Sequence, residues 1–239
     1  MTLTPALVSL PQWLVFPLGI IALVVIVLVA NSYFIRRRRE ALTSVALEIG
    51  FNYEGGSWTN KEQSPHLETA LFASGNGPEF RNVMTGSASG FRISLFDFKY
   101  TVGAGRESQN IKQTVAAFTR GDLSLPEFAM QPKGLMQKIG NALVHKDIPF
   151  DSNGEFSRRF RVRSPEVERT RELFTPELLV FLGTLDPKTK WRLEGNTGTL
   201  IVYRAGKRVK PRDFRKFLEE TTTLATQFLS LGAARKTLR

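Results

Sequence analysis

The sequence predicts an α+β protein with one N-terminal transmembrane helix, followed by a cytosolic domain of antiparallel hairpins and packed amphipathic helices. Three observations carry this expectation. The first 35 residues contain no Lys, Arg, Asp or Glu. Beyond them, short runs with a two-residue apolar period are separated by Gly and Asn turns. Near its end the chain takes up the 3.6-residue period of an amphipathic helix. Strands and helices occur in runs, without strict β-α-β alternation, which favours segregated elements around an antiparallel sheet.

The uncharged stretch Trp13–Ile35 is 23 residues long. As a helix it spans roughly 34 Å, enough for a ~30 Å hydrocarbon core with some tilt. Trp13 and Tyr33 fall where interfacial aromatics belong, and Pro17 sits in the first turn or so, where a missing N–H does least harm. A cleaved signal peptide would need a basic start and a shorter apolar centre. Here the start is uncharged, and Arg36, Arg37, Arg38 and Arg39 follow the run directly. Those four arginines predict retention of the following chain on the cytoplasmic side of the inner (plasma) membrane. The expected layout is a short outer tail (1–12), the span (13–35), a basic juxtamembrane helix (36–49) and a cytosolic domain (50–239), with a subdivision near 145–155 as the alternative.

Within the cytosolic part, Leu42, Val45, Ala46 and Ile49 form an apolar stripe on a helix that continues from the span and stops at Gly50. Phe51–Glu54 reads as a short strand ended by Gly55-Gly56, and Ser64-Pro65 as the start of a helix through Phe72. In Phe91–Tyr100, Phe91, Ile93 and Leu95 alternate on odd positions before Phe96, Phe98 and Tyr100 take over on even ones. Side chains of a strand flip face at every residue, so this phase change implies a bulge or a strand covered on both faces. With Arg81–Met84 before it and Lys112–Phe118 after it, it predicts a three-stranded meander. Leu135, Ile139, Ala142 and Leu143 make a helix face, and 158–163 reads as a strand. Ser164-Pro165-Glu166 starts a helix, Thr175-Pro176 starts another, and Trp191–Glu194 with Thr199–Arg204 forms a second hairpin. Phe214, Phe217, Leu218, Thr221, Leu224, Ala225 and Phe228 mark one face of the last helix.

The chemistry-bearing inventory is sparse. Among 239 residues there are 33 Lys and Arg against 22 Asp and Glu, a formal charge of +11, and no cysteine, so disulfides, thiolate metal sites and cysteine nucleophiles are excluded. The two histidines, His66 and His145, stand in unrelated contexts, and no metal or cofactor is expected. Gly103-Ala104-Gly105-Arg106 completes no phosphate-loop motif. Asp97, set among Phe96, Phe98 and Tyr100, is the most unusual polar residue. It reads as a carboxylate at the bulge that accepts backbone N–H bonds or pairs with Lys99 or an arginine. The alternative is an enzyme site of scattered residues around Asp97, with Tyr100 and Arg106. Two basic stretches remain, one with Arg159, Arg161 and Arg163, the other with Arg204, Lys207, Arg208 and Lys210. They are solvated faces or contacts for anionic headgroups. Nucleic acid is disfavoured, because the aromatics fall on core faces rather than between the arginines.

The segments Leu95–Thr101, Gln113–Val115, Phe156–Phe160 and Leu173–Leu178 resemble a bacterial family of membrane-anchored proteins built from a domain of unknown function. The resemblance implies an anchor-plus-domain layout and carries over no activity or site residues. The expected function is a single-pass membrane protein that presents a cytosolic module to an anionic lipid surface, or to a membrane or cytosolic protein partner, without catalysis.

Overall fold

A computed structural model describes residues 12–58, 69–134, 147–151 and 153–232. The chain divides into two compact units, residues 1–41 and 42–239. The first is the larger part of one long helix, α1 (Gln12–Glu48). Its segment Phe16–Glu48 is long and apolar enough to cross a membrane, and its most apolar window is wholly unburied. Ile20, Leu23, Val27 and Phe34 are exposed. Trp13 lies in its first turn, and Tyr33 is exposed near the arginines. Arg36 bonds to Glu40 one turn on, at 2.9 Å.

The last two turns of α1 belong to the second unit. Leu42 and Ala46 are fully buried there, and Val45 and Ile49 pack against the same core. Gly50, at φ +72°, ends the helix in the left-handed conformation that glycine tolerates. Nine strands then form one sheet: β1 (Asn52–Trp58), β2 (Asn76–Ala88), β3 (Phe91–Val102), β4 (Gln109–Thr119), β5 (Phe128–Pro132), β6 (Asp147–Ile148), β7 (Phe160–Arg163), β8 (Trp191–Asn196) and β9 (Thr199–Arg204). Their order is β1-β2-β3-β4-β9-β8-β5-β7-β6, with every neighbour antiparallel. The fold class is therefore α+β. The meander β1–β4 joins the later strands through β4 and β9, paired from Val115↔Tyr203 to Thr119↔Thr199.

The phase change in β3 comes from burial on both faces. Phe91, Ile93 and Leu95 enter one core, with Ala116, Phe118, Leu200 and Val202, and Phe96, Phe98 and Tyr100 enter another, with Val115, Ala117, Ile201 and Tyr203. The β3–β4 register is unbroken from Arg92↔Thr119 to Val102↔Gln109. The bulge is instead in β2, whose register against β3 slips between Arg81↔Asp97 and Met84↔Leu95. Asn82 stands there at φ +54°, a conformation Asn tolerates better than most side chains.

The larger core lies between the sheet and the helices α2 (Gly154–Arg159), α3 (Val167–Leu173), α4 (Pro176–Gly183) and α5 (Phe214–Leu231). The α5 residues marked by helical spacing are buried, with Leu218 partly so. Phe128, Phe150, Phe156, Phe174 and Phe228 meet in edge-on, tilted and stacked pairs with ring centroids 5.3–6.2 Å apart. The smaller core on the opposite face is closed by Leu71 and Phe72 of the turn 69–74.

Several elements differ from the sequence expectation. Strand β1 runs through Gly55-Gly56 by taking an irregularity between Tyr53 and Gly55. Arg158 and Arg159 close helix α2, because the Asn153 side chain caps it by accepting from Phe156 N–H, and the strand starts only at Phe160. The expected helix from Ser64 lies mostly outside the described residues, and its described end, from Thr69, is turn. The helix face Leu135–Leu143 is outside them altogether. Strand β6, which falls within the range given for the alternative break, pairs with β7.

Gly195 in β8 shows why a strand interior carries glycine. A methyl group there would fall into the ring of Phe128, which is itself wedged against Phe174 and Phe228. Gly195→Ala should cost about 1–3 kcal/mol through overpacking, read as a lower urea midpoint of the full chain in detergent.

Candidate anion-binding cleft

The loop after β9 is held from beneath by two buried residues of β4. Gly206 N–H donates to Gln113 Oε1 at 3.0 Å, and Val209 N–H donates to Thr114 Oγ1 at 2.9 Å. Thr114 N–H donates to the Lys207 carbonyl at 3.1 Å. The Thr114 hydroxyl in turn donates to Asp97 Oδ1 at 2.9 Å. Asp97 Oδ2 accepts from Asn82 Nδ2 at 2.9 Å and from Arg208, Nε at 3.0 Å and Nη2 at 2.9 Å. Tyr53 OH completes the series by donating to Asn82 Oδ1 at 2.9 Å. Side chains of β1 to β4 thus fix the backbone of residues 206–209.

That fixed loop is one wall of a cleft of about 730 Å³. The turn Pro187–Thr189 with Lys190 forms a second wall, and the first two turns of α5 form the third. Seven cations line the cleft, Lys188, Lys190, Arg204, Lys207, Arg208, Lys210 and Lys216, against two carboxylates, Asp213 and Glu220. The arginines are already engaged. Arg204 is bonded to Glu220 and lies 4.3 Å over the Trp191 ring, which stacks on Phe217, and Arg208 is paired with Asp97. The five lysines have no ion-pair partner among the described residues. The arrangement presents several uncompensated ammonium groups to one concave volume, which suits an anion.

The residues singled out in the sequence fall in different places. Arg204, Lys207, Arg208 and Lys210 all line this cleft. Arg159, Arg161 and Arg163 lie outside it, in α2 and in β7 beside the edge strand β6, each engaged: Arg159 by Glu155 (2.6 Å) and the Gly183 carbonyl, Arg161 (3.1 Å) and Arg163 (2.7 Å) by Asp147. Asp97 sits beside the bulge and is paired with an arginine. Tyr100 projects from the other face of β3, and Arg106 lies in an exposed turn, so the structure does not gather the three into one site. Lys188 and Lys190 were missed; only their closeness to the hairpin start at Trp191 hints that they meet the loop leaving the same hairpin. His66 and His145 lie outside the described residues. Among the described residues no group of three His, Cys, Asp or Glu side chains could hold a metal ion.

A second polar cluster was not visible in the sequence. On the smaller-core face Arg192 and Glu194 of β8 are 1% exposed. Glu194 accepts from Tyr203 OH at 2.5 Å and from Leu71 N–H at 2.7 Å, which ties the turn 69–74 to the sheet. Burial raises the Glu194 carboxyl above its ordinary value, against the opposing pull of Tyr203, Leu71 N–H and Arg192. Burial also works against charge on Arg192, but Tyr203 and Glu194 outweigh it, and the guanidinium holds its proton more firmly than usual. Burial and the Glu194 charge together raise Tyr203 well above an ordinary phenol.

No family model and no curated protein matches the chain. Among solved structures it is similar to the crystal structure of the mycobacterial trehalose monomycolate transport factor A, with a TM-score of 0.52 and 18% sequence identity. The match covers 82% of this chain and 92% of that one. It establishes a shared fold.

Two outcomes follow from the buried cluster. Glu194→Ala removes the acceptor of two buried donors, Tyr203 OH and Leu71 N–H, and should destabilise the chain by about 2–6 kcal/mol, whereas Glu194→Gln, which keeps an acceptor, should lose less; both are read from urea unfolding of the full chain. Because the folded chain binds the Glu194 proton more tightly than the unfolded one, this group's contribution is present below the unfolded value of about 4.3 and is lost as pH rises through the folded value. The stability of the native chain relative to Glu194→Gln should therefore fall as pH is raised from about 4.

Proposed function

We propose that this chain is a single-pass membrane protein whose folded unit sits on the cytoplasmic side and docks, without catalysis, onto anionic headgroups of the membrane that anchors it. The observation that carries this reading is the cleft in which five lysines remain uncompensated while the neighbouring arginines are engaged internally. The long unburied apolar helix supports the anchor, and Arg36–Arg39 at its end support the orientation. The fold neighbour is by its title a transport factor, which agrees with an auxiliary role. Each lysine near an anionic leaflet is worth about 1 kcal/mol, and the attraction fades beyond a Debye length of about 10 Å at 0.1 M salt.

The test uses the full chain reconstituted in vesicles of phosphatidylcholine alone or with phosphatidylserine. Lys207, Lys210 and Lys216 should acetylate several-fold more slowly in the anionic vesicles, and the protection should vanish at high salt. The Lys207→Ser, Lys210→Ser, Lys216→Ser chain should lose on the order of 100-fold in surface affinity. Equal acetylation in both vesicles would remove the headgroup reading and leave a protein partner for the cleft. A carboxyl-terminal reporter active only outside the cell would overturn the orientation.

A further inference from the structure

We infer that the cleft is a site for one phosphate monoester group carrying more than one negative charge, rather than a patch that senses average surface charge. The inference rests on the headgroup-docking reading above and narrows it. A patch for a uniformly charged plane needs cations spread over a flat or convex face. Here they come from three separate elements, the turn carrying Lys188 and Lys190, the loop carrying Lys207 and Lys210, and helix α5 with Lys216, and they surround a concave volume of about 730 Å³. That size falls within the range of small-ligand sites.

The cation type narrows the ligand further. An arginine fork matches planar carboxylates in two parallel bonds, but both arginines of this cleft are taken by Glu220 and Asp97. What remains are ammonium groups, compact point charges with three donors each, suited to a tetrahedral group approached from several directions. A terminal phosphate offers three oxygens and up to two charges, so it can meet more of the five lysines at once than a diester can. Among the lining residues Phe217 and Val209 are apolar, and low-dielectric walls focus the field of the lysines into the cleft. The backbone of one wall is already ordered by Gln113, Thr114 and Asp97, so the entropy lost when the anion enters is that of the lysine side chains.

The same chemistry could come from a lipid headgroup or from a soluble phosphate, and the experiment separates them. The full chain in neutral detergent is titrated calorimetrically with dihexanoyl phosphatidic acid, dihexanoyl phosphatidylserine and inorganic phosphate. Phosphatidic acid should bind on the order of ten-fold tighter than phosphatidylserine, because the Coulomb attraction scales with ligand charge. Lys188→Gln with Lys190→Gln should abolish that preference, and Lys133→Gln, which removes a charge outside the cleft, should leave it unchanged. Inorganic phosphate binding as tightly as phosphatidic acid supports the monoester site and assigns it to a soluble source; weaker binding supports it and assigns a lipid source. If phosphatidylserine at twice the concentration matches phosphatidic acid, the monoester site is overturned while docking to anionic headgroups stands. If none of the three binds, both fall.

Discussion

The folded unit is built around the complete burial of strand β4. From Gln113 to Phe118 six successive residues are buried, so both faces of this strand are covered. Four of the six are apolar and divide by parity between the two cores, Ala116 and Phe118 to one and Val115 and Ala117 to the other. The other two, Gln113 and Thr114, are polar, and a buried polar group must find partners. Gln113 Oε1 and the Thr114 hydroxyl find them in the backbone of residues 206–209. The cleft is therefore a consequence of core burial: satisfying β4 means holding the loop after β9 in one place, and that loop is the wall that carries Lys207 and Lys210.

The internal use of arginine follows from the same geometry. Asp97 lies opposite Thr114 in the β3–β4 register, in a buried position where a lone carboxylate would be costly. Arg208 neutralises it with two N–H groups, and Asn82 reaches it only because the β2 bulge turns that residue to a positive φ. Arg204 likewise meets Glu220 and covers the Trp191 ring. Planar guanidinium groups suit such fixed, partly buried pairings, and lysines do not. The division between engaged arginines and open lysines is thus a division between cations that build the cleft and cations that face into it.

Local pattern made much of the fold legible. The hairpins of β2–β4 and β8–β9, the helix starts at Val167 (two residues past Pro165) and at Pro176, and the buried face of α5 all depend on side-chain period and turn chemistry within a dozen residues. The two-sided covering of β3 was legible for the same reason, since the parity switch at Leu95-Phe96 points to burial on both faces. What could not be read depends on contacts distant in sequence. Arg208 and Asp97 are 111 positions apart, and Leu71 and Glu194 are 123. Nothing in Trp191–Glu194 distinguishes Arg192 and Glu194 from the solvent side of an ordinary hairpin, because the turn that buries them comes from before β2. The run 158–163 misled for a local reason: an alternation of Arg with apolar residues continues a strand pattern backwards into a helix that Asn153 caps.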